Sequence, residues 1–498
     1  MADGSGVVTG SGGGGGGLLD LGAGPTPEDN EAFRLEHRGI DLIPESQRNM
    51  RPSGLFWMWA GATWNVEYLV YCALILSFGL SFWQGVIAIL VGNVFYAFLG
   101  WASIPGPQTG TTAFMVSRAP FGRNGNRFPS LFNWITQVGF EIEGIVIIVL
   151  LIEAMFSREG TTLDTAAKVL VIILAVIVQF IMPFLGHATI LKVLRYLSYV
   201  FIVVFIIMAI LVIPHAHITS LHQHTSWWIW TTAVVVIVST GGLGWTENAA
   251  DYSRYLPKDT PKAKTFWAAV GGAAISSTLL ELLGAGAYLV SPKVTAVTGV
   301  PSSFASWFFW PFVILALPQL FSINSIDMYS SGVTLQAIGL HVKRWQAVLI
   351  DTVVAGGVTA LVIFKGNFYT DLSGFLDYIV VWLGPWFGII IVDYLLRRGR
   401  YDVNSLAATR GGVYWRDGGF NWKALLSLGL GMFAAMMWID AAFYVPSYTG
   451  PISNATNGAD FSWLLGLIVA GVAYFLLSYS SVPKEASVSS ERLQAPGS

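Results

Sequence analysis

Long apolar runs are the feature that most restricts how this chain can fold. A helix needs about 20 predominantly apolar residues to cross the hydrocarbon core of a bilayer, and runs of that length recur from residue 55 to residue 480. Charged residues make up 11% of the chain, whereas soluble domains carry about 25%. The sequence therefore predicts an all-α polytopic membrane protein.

Twelve apolar runs are long enough to span a membrane, and the two ends of the chain differ from them in composition. The Gly-rich residues 1–43 and the polar residues 481–498 are typical of disordered tails. The connections between the runs are too short for a soluble domain, so residues 44–480 are predicted to form one membrane domain. The predicted spans are 55–79, 84–103, 131–156, 167–185, 196–214, 228–249, 267–290, 304–334, 346–364, 373–395, 424–445 and 461–480.

Basic residues indicate how these spans are oriented. If the N-terminus is cytoplasmic, 23 of the 27 Lys and Arg residues fall in cytoplasmic tails and connections. Membrane proteins carry such an excess on the cytoplasmic side. We therefore expect an integral plasma-membrane protein with both termini in the cytoplasm. Its net charge of −2 gives no indication of a nucleic-acid partner.

Polar residues interrupt three of the predicted spans. The first contains "GATWNVEYLVY", the sixth "STGGLGWTENAADYSRYL" and the eighth "PQLFSINSIDMYSSG". Gly and Pro alone are common in membrane helices, but clustered polar residues beside them are typical of helices broken around a binding site. The pattern predicts a binding site near the middle of the membrane, formed by these three spans.

Six carboxylates fall inside apolar spans, where a charged group costs roughly 3 kcal/mol on insertion scales. No span carries a Lys or Arg near its centre. The carboxylates must therefore be protonated, solvated or paired with a cation that comes and goes, such as a proton, Na⁺ or a cationic substrate. A structural role is the alternative, and it fits Glu281 best. The six are Glu67, Glu141, Glu143, Glu247, Glu281 and Asp327.

Glu141 and Glu143 lie two residues apart in the third span. Two residues correspond to about 200° around an α-helix, so the two side chains cannot point the same way. Either one of them faces a narrow site, or both line the sides of a wide cavity.

Several segments between Pro44 and Ser480 match a known family of membrane proteins. They are "FLGWASIPGPQTGTTAFMVSRAPFGRNGNRFPSLFNWITQVGF", "ADYSRYL", "MYSSG" and "GPWFGIIIVDYLLRRGRYD". In these segments the chain resembles the nucleobase–cation symporters of the purine–cytosine permease type. The resemblance implies twelve helices. The first ten form a five-plus-five inverted repeat with broken helices one and six, and alternating access couples uphill uptake to inward movement of Na⁺ or H⁺.

The resemblance also implies which residues contact the substrate. Phe140 matches a third-span aromatic that stacks on the planar base, and Gly144 matches a nearby position that is often polar. Asn324 and Asp327 match the eighth-span region that recognises ring nitrogens and exocyclic groups. The expected substrate-binding residues are Phe140, Glu141, Glu143, Gly144, Gly242, Trp245, Gln319, Asn324 and Asp327.

Two positions depart from the family pattern. Gly242 stands where relatives place a sixth-span aromatic, so either Trp245 covers the second face of the base or the ligand is larger or differently placed. The eighth-span hydroxyl pair that binds Na⁺ in relatives is Ser322–Ile323 here and lacks one ligand. This loss favours H⁺ over Na⁺. The expected cation-coupling residues are Asn65, Glu67, Glu143 and Ser322.

These features predict a secondary active transporter that imports a nucleobase, cytosine or a purine, by symport with H⁺ or Na⁺ and without a cofactor. The alternative is a symporter of the same fold for a hydantoin, allantoin or a vitamin-like base. The expected partners are this small molecule and membrane lipid, and the sequence is compatible with a monomer. An intramembrane enzyme or a channel fits less well, because no hydrolase signature or repeated filter is present.

Overall fold

Helices account for most of the structure. The computed structural model describes residues 31–218, 225–366, 374–376, 378–441 and 447–487. The main helices are α1 (Pro52–Thr63), α2 (Val66–Ser77), α3 (Phe82–Val94), α4 (Tyr96–Ser103), α5 (Arg127–Arg158), α6 (Thr165–Leu185), α7 (His187–Val212), α8 (Trp227–Thr240), α9 (Ala249–Ser253), α10 (Lys262–Val290), α11 (Phe309–Ile338), α12 (Arg344–Lys365), α13 (Val380–Arg397), α14 (Trp422–Trp438) and α15 (Ser462–Ser478).

Short elements connect these helices. Two short strands, β1 (Asp440–Ala441) and β2 (Tyr448–Thr449), pair antiparallel after α14. The short α-helices are Pro105–Thr109, Ala113–Val116, Arg118–Phe121, Gly299–Ser302, Val403–Ala407 and Pro451–Ala455, and the 3-10 turns are Glu45–Gln47, Ile213–His215, Gly244–Glu247, Pro292–Thr295 and Ser306–Phe308.

The helices have the length and composition of membrane spans. In the part of the chain that the structure describes, nine helical segments are long and apolar enough to cross a membrane. The helices α2, α14 and α15 are also apolar but shorter. The predicted class, an all-α polytopic membrane protein, is confirmed, and the count of twelve spans stays a prediction.

Two of the three predicted interruptions are breaks in the helices. In the first span α1 ends at Thr63, and the Asn65 side chain caps α2 by accepting from the backbone N–H of Glu67. In the sixth span α8 ends at Thr240, and a 3-10 turn precedes α9. Gly242 lies in this second break, where a Cβ atom would be 2.1 Å from the carbonyl of Phe95. Only a residue without a side chain fits there.

The predicted break in the eighth span is wrong. Helix α11 continues through Pro318 to Ile338. A proline in a membrane helix is tolerated when nearby groups satisfy the backbone. One of the polar residues that suggested a break, Ser322, is accommodated within the helix, because its hydroxyl donates to the carbonyl of Pro318 at 2.7 Å.

The packing of the helices brings the two breaks against the third and eighth spans. Helix α5 packs along α11, while α1 and α2 pack along α10. Helices α14 and α15 pack on each other and on α13. Large apolar side chains on α6 and α7 point away from the bundle, with Ile177 and Ile206 each 55% exposed, as expected for surfaces that face lipid.

The segment before α1 closes one end of the bundle. Glu36 is 2% exposed, and its carboxylate accepts hydrogen bonds from three groups. Oε1 accepts from the hydroxyl of Tyr255 at 2.7 Å and from that of Tyr329 at 3.1 Å. Oε2 accepts from the backbone N–H of His187 at 2.7 Å. This one side chain therefore joins the sixth and eighth spans to the start of α7.

Two segments that the sequence assigned to the tails, residues 31–43 and 481–487, are among the described residues, and the bounds of the tails stay a prediction. In the first segment Leu35, Glu36, Arg38 and Ile43 are buried. After α15, Glu485 accepts from Arg397 at 2.9 Å and from Nε of Arg416 at 2.7 Å. Burial alone would raise the pKa of Glu485, but the hydrogen bonds and charges of Arg416 and Arg397 outweigh burial and lower it. Residues 1–30 and 488–498 lie outside the described residues.

Replacement of Glu36 should test whether its hydrogen bonds to the sixth and eighth spans and to α7 stabilise the protein. We expect Glu36→Ala to reduce the free energy of unfolding by about 2–4 kcal/mol, because several charge-assisted hydrogen bonds are lost at a buried site. Thermal unfolding of the purified protein measures the change. The matched control is Glu31→Ala, because the Glu31 side chain is 60% exposed. Equal stability of the two variants would contradict a structural role for Glu36.

Candidate functional site

A narrow cavity lies where both helix breaks meet α5 and α11. Its walls come from α2, from the end of α8 and the Gly244–Glu247 turn, and from the facing sides of α5 and α11. Its volume is about 30 Å³. A water molecule needs roughly 10–15 Å³ on this measure, so the cavity has room for about two or three waters in this conformation.

Two of the acids in the cavity wall lie on opposite helices. Glu67 on α2 accepts from the amide of Asn65 at 2.7 Å. Glu143 on α5 accepts from the hydroxyl of Tyr71 at 2.7 Å through Oε1. The other oxygen of Glu143, Oε2, is buried and has no hydrogen-bond partner among the described residues. It is therefore available to a proton or to a donor group of a ligand.

The other two acids are held by amide side chains. Gln137 donates through Nε2 to Glu247 and, at 2.9 Å, to Oδ1 of Asn248. Asn248 donates to Oδ1 of Asp327 at 3.4 Å. Among the described residues that line the cavity, none is Lys or Arg. The four acids are therefore close together without a basic partner.

Aromatic rings form two further parts of the wall. Phe140 lies on α5, and its ring meets the ring of Phe375 edge to face at 5.1 Å between centroids. Trp245 lies in the second break, where its indole N–H donates to the hydroxyl of Tyr68 at 2.7 Å. Trp245 also packs edge to face on Trp59. Flat apolar surfaces therefore occur beside the acids and amides.

Asn324 on α11 lines the cavity, and its amide packs against α5 and reaches α6. Its Nδ2 atom donates to Oε1 of Gln179 at 2.9 Å and to the backbone carbonyl of Glu141 at 3.3 Å. A Cβ atom on Gly144 would lie 2.0 Å from this amide. The absence of a side chain at Gly144 therefore creates the space that Asn324 occupies.

The structure brings part of the predicted site together in the cavity wall. The predicted residues that line the cavity are Glu67, Phe140, Glu143, Trp245, Asn324 and Asp327. The predicted residues that lie outside this lining, among the described residues, are Asn65, Glu141, Gly144, Gly242, Gln319 and Ser322. Glu141 faces away from the cavity, where its Oε1 accepts from the hydroxyl of Ser331 at 2.7 Å.

Nine wall residues were not among the predicted site residues, and four of them are acids or hydrogen-bond partners of the acids: Tyr71, Gln137, Glu247 and Asn248. Periodicity could have found two of them, because Tyr71 follows Glu67 by four positions and Gln137 precedes Phe140 by three, spacings that share a helix face. Glu247 was noted as a buried acid, and Asn248 follows it directly. Glu247 and Asn248 carried no periodic signal, because they lie between the helices α8 and α9, in the 3-10 turn and directly after it.

The arrangement suits a small planar molecule with polar edges. Rings can stack on its faces, while amides and carboxyl groups can bond to its donors and acceptors. The acids can also hold a proton or another cation. In the described part of the chain, no group of three or more His, Cys, Asp or Glu side chains could hold a metal ion.

Solved structures share this fold. The structure of Mhp1, a nucleobase-cation-symport-1 family transporter in a closed conformation with bromovinylhydantoin bound, superposes with a TM-score of 0.72 at 19% sequence identity. The match covers 91% of this chain and 98% of that one. At this identity the likeness establishes the fold.

Curated relatives cover almost the same length. A putative purine-cytosine permease of Bacillus subtilis is 28% identical over 91% of this chain and 98% of its own length. A purine-cytosine permease of Emericella nidulans is 24% identical over 89% of this chain and 88% of its own length. A family model described as "Permease for cytosine/purines, uracil, thiamine, allantoin" matches residues 42–466. The chain therefore belongs to this family of permeases.

Proposed function

We propose that this protein imports a nucleobase, cytosine or a purine, by symport with a proton. The observation that carries the proposal is a cavity between two helix breaks, with aromatic rings and four acids in its wall. The described lining residues include no basic side chain. Such a wall complements a planar heterocycle that carries amine or ring N–H donors, and the purine-cytosine permeases among the relatives support this substrate class.

A proton fits the cavity better than Na⁺. Na⁺ sites of such carriers use backbone carbonyls and hydroxyl groups as ligands. Ser322 does not line the cavity, and the next residue, Ile323, has no oxygen on its side chain, so the hydroxyl pair lacks one ligand. Glu143, by contrast, has one buried oxygen without a partner among the described residues. We therefore assign the coupling proton to Glu143, with Glu67 facing it from α2.

The proposal includes an orientation in the plasma membrane. Both termini are placed in the cytoplasm, because 23 of the 27 Lys and Arg residues then lie on that side. The end of the bundle that Glu36 closes is then the cytoplasmic end. A cavity of about 30 Å³ cannot hold a base, so this conformation is closed, and the cavity must widen to admit substrate.

A related heterocycle is the second candidate substrate. The structural relative binds bromovinylhydantoin, and Gly242 leaves the second face of the ligand without the aromatic that relatives place there. A hydantoin, allantoin or a vitamin-like base would use the same rings and amides.

Uptake measurements test the proposed substrate. Transporter-deficient cells that express the protein should accumulate radiolabelled cytosine, adenine or hypoxanthine with saturable kinetics. A protonophore should abolish accumulation, and replacement of Na⁺ by choline should leave it unchanged. Unlabelled hydantoin, allantoin and pyridoxine serve as competitors for the second candidate. The absence of uptake of every base and heterocycle would sink the proposal, and strict dependence on Na⁺ would reassign the coupling ion.

Glu143→Gln should separate binding from coupling. The amide keeps the bond to Tyr71 but cannot release a proton at neutral pH, so we expect base exchange across the membrane to persist and pH-driven accumulation to be lost. Counterflow and gradient-driven uptake in proteoliposomes measure the two activities. Glu281→Gln is the matched control, because Glu281 is equally buried but bonds Asn93 outside the cavity. Coupled uptake by Glu143→Gln would show that another group carries the proton.

Gly144→Ala should weaken substrate binding. The new methyl group would collide with the Asn324 amide and displace it from the cavity wall. We expect KM for the base to rise about tenfold, equivalent to the loss of roughly one hydrogen bond. Gly357→Ala is the control, because a Cβ atom there meets nothing within 4 Å. An unchanged KM in Gly144→Ala would exclude Asn324 as a substrate contact.

A further inference from the structure

A second pair of acids lies outside the cavity. Glu141 on α5 and Asp351 on α12 both approach the hydroxyl of Ser331 on α11. Ser331 Oγ is 2.7 Å from Oε1 of Glu141 and 2.9 Å from Oδ2 of Asp351. We refer to Glu141, Ser331 and Asp351 as the carboxyl pair and its bridging serine.

The number of hydrogen atoms limits how this group can be charged. A serine hydroxyl carries one hydrogen, and an ionised carboxylate can only accept. If both acids were ionised, one of the two short contacts would set a carboxylate oxygen against a lone pair of Ser331. The carbonyl of Met328, 3.2 Å from Ser331 Oγ, is also an acceptor and supplies no hydrogen. A proton on Oε1 of Glu141 or on Oδ2 of Asp351 donates to Ser331 Oγ, and the serine hydroxyl then donates to the other acid, so both contacts become hydrogen bonds.

Burial makes the doubly ionised state costly. Glu141, Ser331 and Asp351 each have 0% exposed surface. Two carboxylates that contact the same hydroxyl group repel each other strongly where water is excluded. Oε2 of Glu141 is buried and has no hydrogen-bond partner among the described residues. The nearby indole of Trp134 donates to Oδ1 of Asp351 at 2.5 Å, which supplies one hydrogen to one oxygen only.

The charged groups on the neighbouring helices do not neutralise the pair. The charges that act on Glu141 come from Asp351 and from Asp327 on α11, both acids. Gln179, on α6, is neutral. Arg344, at the start of α12, directs its guanidinium to backbone carbonyls, including that of Glu36 at 3.1 Å.

We propose that Glu141, Ser331 and Asp351 form a binding site for one shared proton, separate from the cavity. Through the bridging serine, the proton joins the third span to the eighth and ninth. The site lies close to the cavity, because the backbone carbonyl of Glu141 holds the Asn324 amide. The inference concerns proton binding in the resting protein and does not depend on which substrate is carried.

Infrared spectroscopy of the purified full chain tests the shared proton directly. A protonated carboxyl group gives a C=O band that an ionised one lacks. We expect Glu141→Gln to lose one such band at neutral pH, and Asp351→Asn to lose one as well. The double variant should lose no more than either single variant, because one proton serves both acids. A loss of no band, or losses that add in the double variant, would overturn the proposal.

A second measurement covers the case in which an amide variant fails to fold. Ser331→Ala keeps both acids and removes the bridge, so the carboxyl band should remain but shift in frequency. Glu281→Gln is the control, and its band should be lost independently of the pair. A carboxyl band that Ser331→Ala leaves at its original frequency would show that Ser331 does not bridge the acids, which would overturn the proposal. These spectra need no substrate, so their outcome is independent of the uptake measurements.

Discussion

Acids that lie inside a membrane bundle without basic partners impose the main constraint on this structure. Water cannot solvate them there, so hydrogen-bond donors must do so. Tyr71, Gln137 and Asn248 supply these donors in the cavity, and Ser331 supplies one outside it. Each donor lies on a different helix from the acid it serves or across a helix break. The acids therefore determine which helices must be adjacent.

Much of the fold was predictable from the sequence, because the membrane restricts the possibilities. Apolar runs indicated the spans, and the clustered polar residues near Asn65 and Gly242 indicated real breaks. The same reasoning was wrong at Pro318, where helix α11 continues. Composition cannot distinguish a helix that breaks at a proline from one that continues through it. Which of the two occurs depends on the groups that the rest of the fold places around the backbone.

The site was harder to predict because it depends on the directions of side chains. The sequence showed that Glu141 and Glu143 point in different directions, but the choice between them depends on the rotation of α5 against α11. That rotation is set by close contacts, such as the one between Gly144 and the Asn324 amide. The hydrogen bonds of Glu36 to the helices could not be predicted either, because the short polar segment that contains it has no hydrophobic periodicity.

The hydrogen bond between Tyr71 and Glu143 joins α2 to α5 across the closed cavity. A base that enters between these helices would separate them and break this bond. Bulk water outside the cavity would then gain a continuous path to the Glu143 carboxyl only while the base holds the helices apart. Under the proposed coupling through Glu143, a carrier built in this way would pass few protons when its substrate is absent, and it would preserve the proton gradient of the cell when no base is available.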